Sequence, residues 1–150
     1  MIRQFRPEDA EACSNLIQAC IRIEAGLSES LRARLLEAET PQAMLDRARM
    51  YYVAVFESDA GVTGVGAVDM NEIRLLYVSP ECQHQGIGRG LLAHLESMVP
   101  ATVFSNIFVY SIPAAAGFYE AVGFRPRGQH PFVVEDEHLA TVFMTKRTRQ

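Results

Sequence analysis

The stretch from Glu72 to Val109 constrains the fold more than any other part of the chain. Glu72-Ile73-Arg74-Leu75-Leu76-Tyr77-Val78 is short and mostly apolar, and reads as a strand. After Ser79-Pro80 comes a loop punctuated by Gly86, Gly88 and Gly90. From about Gly88 to Met98, the residues Leu91, Leu92, Leu95 and Met98 recur at helical spacing, and Pro100 ends the pattern. Thr102 to Val109 is a near-continuous apolar run, as expected of a centrally buried strand. Strand, helix and strand in that order make a βαβ crossover, which forces its two strands to be parallel.

The flanking segments build a mixed sheet around that pair. Tyr51–Phe56 and Val62–Met70 are strand-like, separated by the turn Ser58-Asp59-Ala60-Gly61, and with Glu72–Val78 they suggest an antiparallel meander. Upstream, Cys13, Leu16, Ile17, Cys20 and Ile23 form one apolar stripe of a helix from about Asp9 to Glu24. Leu27, Leu31 and Leu35 mark a second helix, and Thr40-Pro41 opens a third that runs through Ala48. Downstream, Ala115 to Val122 is a short helix closed by Gly123, followed by strands near Phe124–Arg127 and Leu139–Lys146. The fold class is α/β (α+β), a mixed sheet with helices on its faces. At 150 residues, with no linker, repeat or low-complexity tract, the chain reads as one domain, 1–150.

Composition narrows the function classes. Hydrophobic residues are 49% and charged residues 21%, enough for a core that needs no staple. A net charge of −4 gives no footprint for nucleic acid. No apolar run approaches a membrane span, and Met1–Asp9 lacks a signal-peptide stretch, so a cytoplasmic protein is expected. Cys13, Cys20 and Cys82 are odd in number and without metal spacing, as buried or half-buried thiols in a reducing compartment would be. His94 reads as a helix-surface residue, while His130 and His138 lack ligand spacing, so no metal is expected.

The chemistry lies in Gln83-His84-Gln85-Gly86-Ile87-Gly88-Arg89-Gly90. Glycines there let the backbone approach a ligand closely. The helix that follows offers unpaired N–H groups and the positive end of its dipole, a site fit for a pyrophosphate. The glycine spacing matches neither the dinucleotide fingerprint nor the phosphate-loop pattern.

The run from Glu72 to Leu92 resembles the acetyl-CoA motif of the GCN5-related N-acetyltransferases: a strand, Val78-Ser79-Pro80, then Gln83-His84-Gln85-Gly86-Ile87-Gly88, matching Gln/Arg-x-x-Gly-x-Gly/Ala, opening a helix. A second stretch, Ala115-Ala116-Gly117-Phe118-Tyr119-Glu120-Ala121-Val122-Gly123-Phe124, is similar to that family's Ala-x-x-Phe-Tyr-x-x-x-Gly-Phe. Both lie in the family's order and spacing. The resemblance implies a mostly antiparallel twisted sheet in which the two parallel strands splay apart, with acetyl-CoA as cosubstrate. Its pantetheine arm would fill the gap and pair with the backbone of Leu76, Tyr77 and Val78. Its pyrophosphate would meet the N–H groups of His84, Gln85, Gly86, Ile87, Gly88 and Arg89, with the Arg89 side chain reaching phosphate oxygens.

The resemblance also implies roles. Tyr119 stands where the family's tyrosine donates a proton to the CoA sulfur, and Glu72 where many members place the carboxylate that deprotonates the amine, often through water. Backbone N–H near Tyr77–Val78 would hold the thioester carbonyl oxygen. At the position of the family's pantetheine-binding asparagine this chain has Ile112, with Ser111 beside it as a substitute. The acceptor is expected to carry an amine, on a small molecule or on a peptide or protein; a homodimer is compatible with this. Glu135-Asp136-Glu137 is an acidic turn that a cationic amine could approach. The alternative is a catalytically silent acetyl-CoA-binding module of the same fold.

Overall fold

A computed structural model describes residues 1–149. Its helices form where apolar stripes demand them. In α1 (Ala10–Ile23) the residues Cys13, Leu16, Ile17 and Cys20 are buried, whereas Ile23 is exposed. Ser28 caps α2 (Glu29–Ala38) by accepting from the Leu31 N–H, and Thr40 caps α3 (Pro41–Met50) by accepting from Ala43. Strands β2 (Tyr52–Ser58), β3 (Gly61–Asp69) and β4 (Glu72–Val78) follow as the antiparallel meander, then α4 (Ile87–Ser97), β5 (Asn106–Ser111), α5 (Ala116–Ala121), β6 (Arg125–Gln129) and β9 (Val142–Arg147).

Three short strands had no counterpart in the sequence reading. β1 (Ile2–Gln4) pairs with β2 at one edge, and β7 (Phe132–Val134) with β8 (Glu137–Leu139) makes a separate hairpin. The expected strand 102–109 begins later and ends later. The Pro100 carbonyl accepts from both Val103 and Phe104 N–H groups, so a turn claims these residues before β5 opens at Asn106.

The main sheet runs β1-β2-β3-β4-β5-β9-β6, and only β4 and β5 are parallel. That pair is joined solely at Glu72↔Phe108 and Ile73↔Val109; beyond Ile73 the strands separate. Opposite, β3 pairs with β4 through a bulge: Ala67 faces Leu75 and Val68 faces Ile73, leaving Arg74 as the extra residue. One core lies under α4 and α5 and takes Ile73, Leu76 and Val78; the other lies under α1 and α3 and takes Leu75 and Tyr77. Strict alternation would put Ile73 with Leu75 and Tyr77. The bulge breaks that alternation and turns Glu72 onto the α1 face.

A buried ion network ties β1 to the start of α1. Asp9 accepts two bonds from the Arg3 guanidinium, at 2.8 and 2.9 Å, and one from the Arg6 N–H at 2.8 Å. The Arg3 guanidinium holds the Asp9 carboxyl below its usual range. Asp9→Asn should lower folding stability by about 2 kcal/mol, the scale of bonds to a buried charge. A depressed folded pKa means this stabilisation is complete above the unfolded carboxyl value of about 3.9 and fades as pH falls through the folded one. Urea melts at pH 7 and pH 2.5 check this: the gap between parent and variant should narrow at the lower pH.

Candidate active site

The separation of β4 from β5 creates three cavities that abut one another. The largest, about 580 Å³, lies on the α4 side and is walled by Leu76, Val78, His84, Gly86, Gly88 and Arg89, with Phe118 and Tyr119 opposite. A second, about 130 Å³, occupies the gap itself between Ile73–Tyr77 and Val109–Ile112. A third, about 200 Å³, opens on the α1 face. Leu76, Ala115 and Tyr119 border the first two; Leu75, Tyr77 and Ile112 border the last two.

The glycine loop is built for an anion. Gly86 is the N-cap of α4 at φ +82°, a left-handed conformation that a side chain resists. His84 takes φ +64°, uncommon for a residue with a Cβ and a mark of a constrained loop. The first backbone bond of the helix runs from the Gly90 N–H to the Gly86 carbonyl. The backbone N–H groups of His84, Gln85, Gly86, Ile87, Gly88 and Arg89 have no acceptor among the described residues. That concentration of free donors at a helix N-terminus, beside an exposed Arg89, is suited to the pyrophosphate of a coenzyme A. Ile87 contributes only its backbone, since its side chain is buried in the core. The side chain of Gln85 is not part of the cavity wall, whereas Gln83 of the same loop is, together with Cys82 and Ala114, to which the sequence assigns no ligand contact.

On β4 the expected trio divides. Leu76 and Val78 face the large cavity, but the Tyr77 side chain lies on the opposite face, in the gap and the third cavity. The Val78 carbonyl already accepts from the Cys20 thiol and from Gln83 Nε2, each at 3.2 Å. Burial pushes the Tyr77 phenol up to about 12, with the charges of Glu39 and Glu24 acting in the same direction.

Tyr119 sits mid-way along α5, buried, with Phe118 and Phe124 edge-on at 5.2 and 5.4 Å. Its hydroxyl has no hydrogen-bond partner among the described residues, and the residue borders both the large cavity and the gap. Burial raises its pKa, and the neighbouring Tyr77 adds to the rise, so the phenol keeps its proton. Glu72 stands at the closed end of the gap, 3.3 Å from Arg74 Nη1 and opposite Phe108, and borders none of the three cavities directly. Its neighbours Ile73 and Arg74 do line the gap. Ser111 donates to the Ile112 carbonyl at 2.8 Å, and Ile112 lines the gap and the third cavity.

The acidic turn is not a free patch. Glu137 accepts from Ser28 at 2.5 Å and Ser30 at 2.6 Å, and Glu135 pairs with Arg34, so the β7–β8 hairpin is tied to α2. His94 is half-buried, its Nε2 2.7 Å from the Tyr52 hydroxyl. Among the described residues no group of three His, Cys, Asp or Glu side chains could hold a metal, and no helix is long and apolar enough to cross a membrane.

Several solved structures share this fold. A GCN5-related N-acetyltransferase from Rhodopseudomonas palustris superposes with a TM-score of 0.89 at 22% identity, covering 98% of this chain and 94% of that one. The PaiA N-acetyltransferase of Thermoplasma acidophilum, bound to coenzyme A, gives 0.74 at 19% identity over 98% of both chains. The phosphinothricin acetyltransferase of Sinorhizobium meliloti, bound to acetyl-CoA, gives 0.73 at 19% identity over 99% of this chain and 88% of that one. These likenesses concern the fold. Residues 10–148 also match the model of the acetyltransferase (GNAT) domain, and with nearly the whole chain inside that match, the protein belongs to the GNAT family of acetyltransferases.

Proposed function

We propose that the protein transfers the acetyl group of acetyl-CoA to a primary amine by direct attack on the thioester. The observation that carries this reading is the meeting of the phosphate-suited cavity and the α1-face cavity at the gap bordered by Tyr119 and Tyr77. Acetyl-CoA supplies an acyl group already activated as a thioester. The N–H groups from His84 to Arg89 bind its pyrophosphate, and the open edge of β4 at Leu76, Tyr77 and Val78 pairs with the pantetheine arm. Backbone N–H near Tyr77–Val78 meets the carbonyl oxygen as it gathers charge. Glu72 takes a proton from the incoming ammonium through water, and Tyr119 gives one to the departing sulfur. Two protons leave the nitrogen and one ends on the thiol, so each turnover releases one proton to solvent.

Acetyl-CoA at 100 times its dissociation constant should add about 2.7 kcal/mol, which raises the melting midpoint of a chain of this size by about 5–10 °C. NAD and ATP should do far less at equal concentration; equal shifts from all three would remove the coenzyme A assignment. Gly88→Val should retain the fold, because a Cβ there meets Phe118 and Val78 at 3.6 Å, an ordinary contact. The same variant should lose most of the acetyl-CoA shift, as the added methyls stand between the backbone and the pyrophosphate.

A further inference from the structure

The α1-face cavity is lined mainly by apolar side chains. Ile21, Leu27, Leu35, Ile112 and Leu139 line it, contributed by α1, α2, the end of β5 and the β8 hairpin. Its charged lining is small and unequal. Glu39 is buried and gives both carboxylate oxygens to Arg47, at 2.7 and 2.9 Å, so this pair is neutral toward a ligand. Glu24, at the C-cap of α1, is half-buried and has no ion-pair or hydrogen-bond partner among the described residues. Glu24, Cys20 and Tyr77 line the chamber together, and the Glu24 charge acts on both the phenol and the thiol. One carboxylate without a direct partner among the described residues, subject to the charge of Arg32, therefore shares a mainly apolar chamber with Tyr77, which also borders the gap.

Size completes the description. An engineered apolar cavity of about 150 Å³ accepts benzene. The chamber here, about 200 Å³, has room for one ring, or a branched chain of similar bulk, and a short arm. A polyamine would need acidic groups along its length, and an aminoglycoside would have to bury hydroxyls against Leu and Ile without partners. In the acidic turn, Glu135 and Glu137 are held by Arg34, Ser28 and Ser30.

We propose that the acceptor is a compact monoamine with an apolar body, such as an arylalkylamine, whose carbon skeleton fills this chamber while Glu24 receives its ammonium group beside Tyr77. The inference rests on the acetyl-transfer reading above and assigns Glu24 to recognition, leaving deprotonation to Glu72.

Thiol release should be followed with the full-length protein, acetyl-CoA and four amines: 2-phenylethylamine, spermidine, Nα-acetyl-lysine amide and kanamycin. The expected kcat/KM for 2-phenylethylamine exceeds each of the others by at least about tenfold, because only it matches both the volume and the single charge. Glu24→Gln should raise KM for 2-phenylethylamine about tenfold, with a smaller change in kcat. Ala38 is exposed at the chamber rim, so Ala38→Phe fills the space without entering the core. It should abolish turnover of 2-phenylethylamine and keep the acetyl-CoA melting shift, which reports that the variant is folded. Preference for spermidine, the lysine derivative or kanamycin would overturn the proposal. So would an unchanged KM in Glu24→Gln, or a loss confined to kcat that high pH restores. A parent protein that acetyl-CoA fails to stabilise would bring down the acetyl-transfer reading, and this proposal with it.

Discussion

Tyr119→Phe is expected to lower kcat about a hundredfold and to leave both folding stability and acetyl-CoA affinity close to the parent values. The ring keeps its edge-on contacts with Phe118 and Phe124, so packing is unchanged. The hydroxyl bonds to nothing among the described residues, so its removal breaks no hydrogen bond and strands no buried partner. Only the proton is lost. Burial holds the phenol in its protonated form across the working pH range, the form an acid must have. A positioned acid contributes about a hundredfold to ten-thousandfold. A thiolate is already a fair leaving group, which puts the expectation at the lower end. Stopped-flow or steady-state thiol release gives the rate, and a melt with and without acetyl-CoA gives the controls. Parent-like turnover would take Tyr119 out of the mechanism.

What could be read from the sequence follows from how local each feature is. The glycine loop at Gly86–Gly90 and the Phe118-Tyr119 pair announce themselves because turn chemistry and helical spacing act over a few residues. The parallel β4–β5 pair was legible for the same reason, as the two strands bracket one helix. Strands of three residues were not, because β1, β7 and β8 are too short to show a period. The late start of β5 is a contest that propensity loses: Thr102 and Val103 favour strands, but the Pro100 carbonyl draws the chain into a turn.

The acceptor side was the least legible. Glu24, Tyr77, Ile112 and Leu139 come from four separate elements and share one chamber. No spacing rule links residues that far apart. Ile112 stands where an asparagine is expected from the family resemblance, and the structure places it in the lining of both the chamber and the gap. The bulge at Arg74 was equally hidden, since alternation along Glu72–Val78 assigns Ile73, Leu75 and Tyr77 to one face and the cross-strand register divides them between two.

That bulge governs the expected result for Glu72→Gln, a fall of about a hundredfold in kcat near neutral pH. By turning Glu72 onto the α1 face, the bulge brings its carboxylate to the side of the chamber proposed for the amine, next to Arg74 and across from Phe108. Glu72 does not line the gap, so the proposed proton transfer would need a water between the walls made by Ile73, Arg74 and Tyr110. An alkylamine such as lysine has a pKa of about 10.4, so at neutrality only about one molecule in 2,500 arrives ready to attack. A base in reach removes that restriction. Gln keeps the size and polarity of the side chain and cannot accept the proton. The variant should therefore bind acetyl-CoA as the parent does and lose rate at pH 7. It should then regain about tenfold per pH unit as the free amine accumulates, until its profile meets the parent's near pH 9–10. This signature separates Glu72 from Glu24, whose loss raises KM and is not repaired by alkali. Profiles for Glu72→Gln and the parent that overlay from pH 6 to 10 would pass the proton to solvent instead.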